Sequence, residues 1–294
     1  MTAIETFEAH RPMMLALAYR MLGDLERAED VVQDAWMRWE GRADEVDAPK
    51  AFLLKVVTRL CLNEMGSARA RREESRGDRL PEPIDLHDGA IGRMEMVDQI
   101  SMAFLVVLQR LTPAERATLL LHDVFDLGHA EIAALIGKTE AACRQLLSRA
   151  RANVAEEKRA MATSPEEHRR LLQAFVQASS DGDQQRMIEL LADDAELVVD
   201  AGPSEKRLGR IRNLGRPVFG SRKIAAFLAA VAREIDMLSS YREQELNGQA
   251  AFVRLVEGRP QAALFVSVAE GKIRRIFVQA DTARLSRVAF EALA

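Results

Sequence analysis

The spacing of apolar residues changes along the chain, and this change restricts the possible folds more than any other feature of the sequence. From Phe7 to Met65, and again from Glu95 to about Lys158, apolar residues recur every three or four positions, as on one face of an α-helix. After Met161, two helical segments precede short runs rich in Val, Ile and Phe that are separated by Gly and Pro turn signals. The sequence therefore predicts two all-helical domains followed by an α+β domain with a curved antiparallel sheet.

The segment between the two helical parts has a different character. It loses the helical pattern, gathers charge and places Pro81 and Pro83 two positions apart, which disfavours helix and favours an extended connector. We therefore expect a first helical domain at 1–75, a linker at 76–94, a second helical domain at 95–160 and the α+β domain at 165–290.

Composition excludes several classes of protein. The 41 Lys and Arg residues stand against 45 Asp and Glu, a formal net charge of −4, so the whole chain gains little electrostatic attraction to DNA. No apolar run approaches the roughly 18 residues that span a bilayer, and the amino terminus carries acids rather than the basic residues of a secretory signal. Cys61 and Cys143 stand alone, without Cys or His at metal-binding spacing. We expect a cytoplasmic protein without metal, cofactor or membrane contact.

A pair of short helices is predicted from Glu131 to Arg151, in the stretch "EIAALIGKTEAACRQLLSRAR". Gly137 supplies the turn and Thr139 the cap of the second helix. In a helix-turn-helix that second helix enters the major groove. Its polar face comprises Glu140, Arg144, Gln145, Ser148, Arg149 and Arg151. An ordinary helical hairpin would show the same periodicity, so this stretch alone leaves the two interpretations open.

Resemblance over a longer stretch favours the DNA-reading interpretation. The run "LTPAERATLLLHDVFDLGHAEIAALIGKTEAACRQLLSRAR" resembles the promoter −35 reading domain of bacterial sigma-70 factors. The runs "FEAHRPMMLALAYRMLGDLERAEDVVQDAWMRWEGR" and "APKAFLLKVVTRLCLNEMGSARARRE" are similar to the core-binding and −10 reading domain of the extracytoplasmic-function group. The resemblance implies an alternative sigma factor whose partners are core RNA polymerase and promoter DNA, with the polar face of the hairpin reading the −35 element.

The same resemblance assigns a role to the helix in "AEDVVQDAWMRW". Its outer face would dock on the clamp helices of RNA polymerase, and acidic and amide groups there suit a basic partner surface but would repel DNA phosphates. The residues predicted to make this contact are Asp30, Gln33, Asp34 and Met37.

A third face would hold the −10 element as its strands separate. The resemblance implies that polar groups along "AFLLKVVTRLCLNEM" receive an unstacked base and that a basic cluster after it meets phosphates. The predicted residues are Lys55, Thr58, Arg59 and Asn63, followed by Arg69, Arg71 and Arg72.

The α+β domain resembles the SnoaL-like cone that some extracytoplasmic-function factors carry as a C-terminal extension. The linker run "RLPEP" supports this, because Leu80, Pro81, Glu82 and Pro83 match the linker motif of those factors while Arg79 replaces an aromatic residue. The resemblance implies regulation in cis, through contact of the extension with the sigma domains. Two further family motifs are only partly present: one retains Asp200, Gly202 and Lys206, and the other retains Leu285.

A different class of function remains as an alternative. A SnoaL-like cavity enzyme or ligand sensor could be fused to a helical module that binds DNA unaided. His168 lies on a polar helix and is expected to be exposed, and no acid/base pair with Asp200 is visible, so we predict no catalytic residue and no enzyme. A small-molecule ligand in the cone stays open. The basic run from Lys206 to Arg216 is best explained as a solvated loop, with contact to DNA, the linker or an anionic ligand as the alternatives.

Overall fold

The computed structural model describes residues 2–67, 79–85, 101–160, 163–202, 207–208, 211–212, 214–235 and 239–288. They fall into two compact units. The helical unit holds most of the chain up to residue 155, and the sheet unit holds residues 79–85 together with the chain after residue 155.

Seven α-helices precede residue 161 among the described residues. They are α1 Ala3–Leu22, α2 Leu25–Trp39, α3 Pro49–Met65, α4 Met102–Arg110, α5 Pro113–Asp123, α6 His129–Ile136 and α7 Glu140–Ala160, with a short 3-10 helix at Ala43–Glu45 between α2 and α3.

Local residues explain where these helices begin and end. Gly23 ends α1 in the left-handed conformation, at φ 68°, which glycine adopts without steric cost. Asp24 then caps α2 by accepting a hydrogen bond from the Arg27 amide at 3.1 Å. Thr112 and Glu115 form the predicted capping box at the start of α5.

The first three helices pack on one another around aromatic residues. Phe7 meets Trp36 edge to face at 5.0 Å between ring centroids. Trp39 is 1% exposed, and its indole Nε1 donates to the Ala3 carbonyl at 2.8 Å. The buried ring therefore has a polar partner and fixes the end of α2 against the start of α1.

Helices from the second half of the unit pack against the first three. Helix α5 contacts α1 and α3, and α6 contacts α3. The Arg116 guanidinium of α5 is buried and donates to the Met21 carbonyl. That carbonyl lies in the last turn of α1, where carbonyls lack intrahelical partners, so the arginine satisfies a group that the helix leaves open.

Three helices and a six-stranded sheet make up most of the sheet unit. The helices are α8 Pro165–Asp181, α9 Gln184–Leu190 and α10 Ser221–Glu234. The sheet has the order β4-β1-β8-β7-β6-β5, and a separate hairpin pairs β2 with β3. The strands are β1 Leu191–Asp200, β2 Arg207–Leu208, β3 Ile211–Arg212, β4 Val218–Phe219, β5 Ser239–Leu246, β6 Gln249–Val256, β7 Arg259–Ala269 and β8 Lys272–Gln279.

The structure confirms the α+β class but corrects the strand directions. Strand β1 pairs with β8 in parallel, with Leu197 opposite Ile276, so the sheet is mixed rather than antiparallel. Both strands alternate in the same way whichever direction they pair, and the long connection between them permits the parallel arrangement. Strand β5 was not predicted, because "SSYREQEL" is largely polar and forms a partly exposed edge.

Both faces of the sheet are buried in its centre. Leu197 and Ile276 belong to a cluster that packs under α8 and α10. Their neighbours Val198 and Phe277 point to the other face and are 2% and 0% exposed. We call these the helix face and the outer face. The outer face therefore needs a cover of its own.

None of the helices in the described ranges is both long enough and apolar enough to cross a membrane.

The capping box at the start of α5 allows the assignment of helix boundaries to local residues to be tested. Replacing Thr112 by Ala removes the oxygen that accepts from the Glu115 amide, and we expect a loss of about 1 kcal/mol in the free energy of unfolding. Thr112→Ser keeps the oxygen and should retain most of the stability. Guanidinium unfolding followed by helical circular dichroism makes the comparison, and equal stability of Thr112→Ala and the wild type would contradict the assigned cap.

Candidate functional site

Helix α2 presents the surface predicted for polymerase. Its inward residues Ala28, Val32 and Trp39 are at most 2% exposed. The four predicted residues Asp30, Gln33, Asp34 and Met37 are all exposed on the other side. Met37 is 70% exposed. A large apolar side chain set among acids suits a protein partner better than a nucleic acid.

Helix α3 places three of its four predicted residues on the surface. Lys55, Arg59 and Asn63 are exposed. Thr58 is 0% exposed, so the expectation that it faces outward is wrong. It lies four positions after Leu54 and three before Cys61, and both of these are buried. Helical spacing therefore puts Thr58 on their side rather than on the polar stripe.

The basic end of this face is only partly visible. Arg59 donates through Nε to the Leu135 carbonyl, near the end of α6, at 3.4 Å. Arg69, Arg71 and Arg72 lie outside the described residues, and their assignment to DNA phosphates remains a prediction.

Helices α6 and α7 form the predicted helix-turn-helix. Gly137 ends α6 at φ 66°, and Thr139 Oγ1 accepts from the Ala142 amide at 3.2 Å. Cys143 and Leu147 of α7 are buried, so the opposite side of α7 faces outward. That exposed side contains all six predicted residues: Glu140, Arg144, Gln145, Ser148, Arg149 and Arg151.

Two of these exposed arginines have protein partners. Arg144 Nη1 lies 3.3 Å from Glu140 Oε2, one turn earlier on the same exposed face. Arg151 Nη2 lies 2.5 Å from Asp123 Oδ1 at the end of α5. Hydrogen bonding to Asp123 raises the pKa of Arg151. Arg151 therefore links α7 to α5, whereas Arg149 has no ion pair within the described part of the chain.

The linker lies as an extended segment along the outer face of the sheet unit. Leu80 and Ile84 are each 1% exposed. The Leu80 amide donates to Asp200 Oδ2 at 2.9 Å. The Ile84 backbone amide donates to Asn247 Oδ1 at 3.2 Å. The backbone amide of Asn247 donates in turn to the Ile84 carbonyl at 2.9 Å. Two side chains at separate places on the sheet thus hold the segment at both ends.

We call the complete set of side chains that hold the linker the linker cradle. It comprises Asp200, Gln244, Asn247, Gln279, Asp281 and Arg284. The Leu80 carbonyl accepts from Gln279 Nε2 at 3.3 Å and from Arg284 Nη1 at 2.7 Å. Arg79 Nη2 pairs with Asp281 Oδ2 at 3.3 Å. Gln244 Nε2 donates to Asp85 Oδ2 at 2.8 Å.

Gly202 shows why one family position tolerates little change. It has φ 69°, and a Cβ atom added there would lie 2.5 Å from Asp281 Cγ. Its amide donates to Asp200 Oδ1 at 3.0 Å. Gly202 therefore allows the chain to pass close to Asp281 while it orients the carboxylate that receives the Leu80 amide.

The sequence identified part of the cradle and missed the rest. Asp200, Gly202 and Leu285 were retained family positions, and Leu285 is 0% exposed; Lys206 lies outside the described residues. Asn247, Gln279 and Arg284 were missed. Asn247 offered a signal, because the Asn-Gly pair at 247–248, with φ 53° and 65°, is typical of a tight hairpin turn.

The two groups considered as catalytic bases have structural partners. His168 is half-buried rather than exposed, and its Nε2 lies 3.1 Å from the Val266 carbonyl. Burial lowers the pKa of His168. A helix rich in Glu and Arg suggested exposure, but the imidazole contacts the backbone of β7. Asp200 belongs to the linker cradle.

The cradle predicts how easily the linker is cleaved. Asp200→Ala removes the acceptor of the buried Leu80 amide, which costs about 1 to 3 kcal/mol, so trypsin should cut after Arg79 roughly 5- to 150-fold faster. Asp194→Ala is the matched control, since Asp194 lies on the same strand with its side chain 76% exposed. Mass spectrometry would follow the fragment that begins at Leu80. Equal rates in the two variants would contradict the assigned attachment.

Comparison with known proteins agrees with this architecture. Sigma-70 region 2 matches residues 6–72 and sigma-70 region 4 matches residues 101–154.

The probable ECF RNA polymerase sigma factor SigI of Mycobacterium tuberculosis is 32% identical over 281 residues, which cover 92% of this chain and 91% of that protein. The ECF RNA polymerase sigma factor SigJ of the same species is 34% identical over 235 residues, which cover 78% of this chain and 73% of that protein. A crystal structure of M. tuberculosis SigJ superposes with a TM-score of 0.73 at 29% identity, covering 97% of this chain and 98% of that one. The chain belongs to the extracytoplasmic-function sigma factors of the sigma-70 family.

Proposed function

We propose that this chain directs RNA polymerase to specific promoters as an alternative sigma factor, and that its sheet unit regulates it in cis through the linker. The observation that carries the first part is the helix-turn-helix of α6 and α7 with an exposed polar face, in a chain that matches regions 2 and 4 in order. The four-part division at 1–75, 76–94, 95–160 and 165–290 belongs to this proposal.

Three surfaces of the helical unit bind different partners in this proposal. The acidic face of α2 with Met37 binds core polymerase, and Lys55, Arg59 and Asn63 on α3 meet the −10 element. The exposed face of α7 reads the −35 element, with Arg144 and Gln145 near its N-terminal end facing base edges. The acidic balance of the chain fits this division, because polymerase rather than net charge would bring the two readers to one promoter.

DNA binding requires a local exchange of partners in this scheme. Arg59 donates to a carbonyl of α6 in this structure, and Arg144 is paired with Glu140. Both arginines are exposed, so their present bonds are weak and DNA phosphates or bases can replace them. Thr58 takes no part, because it is buried.

Regulation would act through the linker cradle. The linker joins the two promoter-reading regions, and fixing residues 79–85 along the sheet limits the length of chain that can extend between those regions. The sheet unit has this regulatory role and catalyses no reaction in our proposal. Direct contact of the sheet unit with the sigma domains is a further part of the proposal that the linker attachment suggests.

Base readout by α7 can be tested with single substitutions. Arg144→Ala and Gln145→Ala should each reduce discrimination between −35 sequences by about 1 to 3 kcal/mol for a lost base contact. Run-off transcription with core polymerase on promoters that differ at single −35 positions measures this. Arg186→Ala, an exposed arginine of the sheet unit, should change nothing. Asp30→Ala or Gln33→Ala should weaken initiation at every promoter alike, and a promoter-selective defect in either would contradict the polymerase assignment.

Regulation through the cradle has a separate test. Full-length Asp200→Ala should change run-off output from a cognate promoter by several-fold relative to wild type, while Asp194→Ala should not, because only Asp200 holds the linker. The direction distinguishes restraint by the docked linker, which raises output on release, from support, which lowers it. Unchanged output, together with faster cleavage after Arg79, would refute regulation through the linker and leave the promoter-reading role intact.

A further inference from the structure

A cavity of about 140 Å³ lies within the sheet unit, between the helix face of the sheet and helices α8 and α10. For comparison, an engineered apolar cavity of about 150 Å³ in another protein binds benzene. Apolar side chains in the middle of the sheet, among them Phe252, Leu264 and Val278, remain only partly buried. The space is therefore large enough for a small organic molecule, and the sheet does not fill it with its own side chains.

Strand register arranges the sheet side of the cavity in two rows. In the inner row, Phe252 lies opposite Leu264, Leu264 opposite Val278 and Val278 opposite Val199. All four line the cavity. This row is entirely apolar and offers a surface for a hydrocarbon chain or ring.

The second row lies on the same helix face of the sheet, two residues further along the strands and roughly 7 Å from the inner row. Here Tyr241 lies opposite Arg254, and Arg254 lies opposite Ala262. The small side chain of Ala262 leaves space beside the guanidinium. Gln261 on β7 and Ser179 on α8 also line the cavity. Tyr241 and Arg254 therefore place two hydrogen-bond donors beside each other at one end of the apolar row.

Arg254 is a cation without a carboxylate partner among the described residues. Its Nη1 lies 3.4 Å from Ser239 Oγ, a weak contact with a neutral group. The nearest acid on the same face of β5, Glu243, is held by Arg169 Nε at 2.6 Å and by Gln173 Nε2 at 2.7 Å. The positive charge of Arg254 is therefore not cancelled by its neighbour on the sheet.

Tyr241 adds a second donor. Burial raises the pKa of Tyr241, and the nearby Arg254 opposes that rise in part. The residue is 40% exposed, and its phenol, like an ordinary tyrosine, is protonated at neutral pH, so its hydroxyl can donate to an anion beside the guanidinium.

We propose that this cavity binds a small monocarboxylic acid of about six carbons, including the carboxyl carbon, with an apolar tail. The carboxylate lies between Arg254 and Tyr241, and the tail lies along Phe252, Leu264 and Val278. An arginine fork suits a carboxylate because it can donate two parallel hydrogen bonds. The distance of roughly 7 Å between the rows matches the length of a six-carbon acid. This inference goes beyond promoter recognition and does not depend on it.

Hexanoate is the probe, with hexanol as its neutral counterpart, and calorimetric titration of the full-length chain is the measurement. We expect saturable binding of one hexanoate per chain. Arg254→Met should weaken hexanoate binding about 10- to 100-fold by removing the charged hydrogen bonds and should leave the weaker binding of hexanol unchanged. Arg222→Met, an exposed arginine on α10, is the matched control and should alter neither.

A second variant tests the location of the tail. Ala262→Leu fills space within the cavity and should weaken hexanoate and hexanol together, with circular dichroism used to confirm that the chain remains folded. Absence of saturable hexanoate binding to the wild-type chain would overturn the proposal. Equal hexanoate affinity of Arg254→Met and wild type would also overturn it, because the carboxylate would then lie elsewhere.

Discussion

The sheet unit depends on satisfying the backbone of a segment that cannot join the sheet. Pro81 and Pro83 remove two amide donors, and the extended linker still buries Leu80 and Ile84 on the outer face. Buried amides and carbonyls without partners would cost more than the apolar contact returns. Side chains of the cradle supply these partners: Asp200 and Asn247 accept from the linker amides, while Gln279 donates to its carbonyls. The linker is thus bound by polar recognition as well as by apolar burial.

Alternation along the strands brings this attachment close to the proposed ligand cavity. Val199 lines the cavity, and the next residue, Asp200, holds the linker. Val278 and Gln279 repeat the arrangement on the neighbouring strand β8. A strand exposes consecutive residues to opposite faces, so one strand pair can contact a small molecule on one side and the linker on the other. Any shift of β1 or β8 would therefore move residues at the cavity on the helix face and at the linker on the outer face.

Hydrogen bonds from arginines to carbonyls near helix ends connect the two promoter-reading regions within the helical unit. Arg116 donates to the Met21 carbonyl in the last turn of α1, and Arg59 donates to the Leu135 carbonyl near the end of α6. Carbonyls at helix C-termini lack intrahelical partners and carry partial negative charge, so they attract arginines. The buried Arg116 contact is structural. The exposed Arg59 contact is weak, which suits a residue proposed to meet DNA.

By itself, the sequence determined the features that depend on residues a few positions apart. The helix-turn-helix, its Gly137 turn, the Thr112 cap and the outward face of α2 followed from local spacing, and the resemblance carried by those residues placed the chain in its family. Helical spacing also puts Thr58 on the buried side of α3, once Leu54 and Cys61 are known to be buried. Only the tertiary structure decided that β1 and β8 run parallel and that Asn247 and Gln279 hold the linker. The reason is physical: Ile84 and Asn247 are 163 positions apart, and no local pattern of hydrophobicity encodes which distant side chain will meet a buried backbone group.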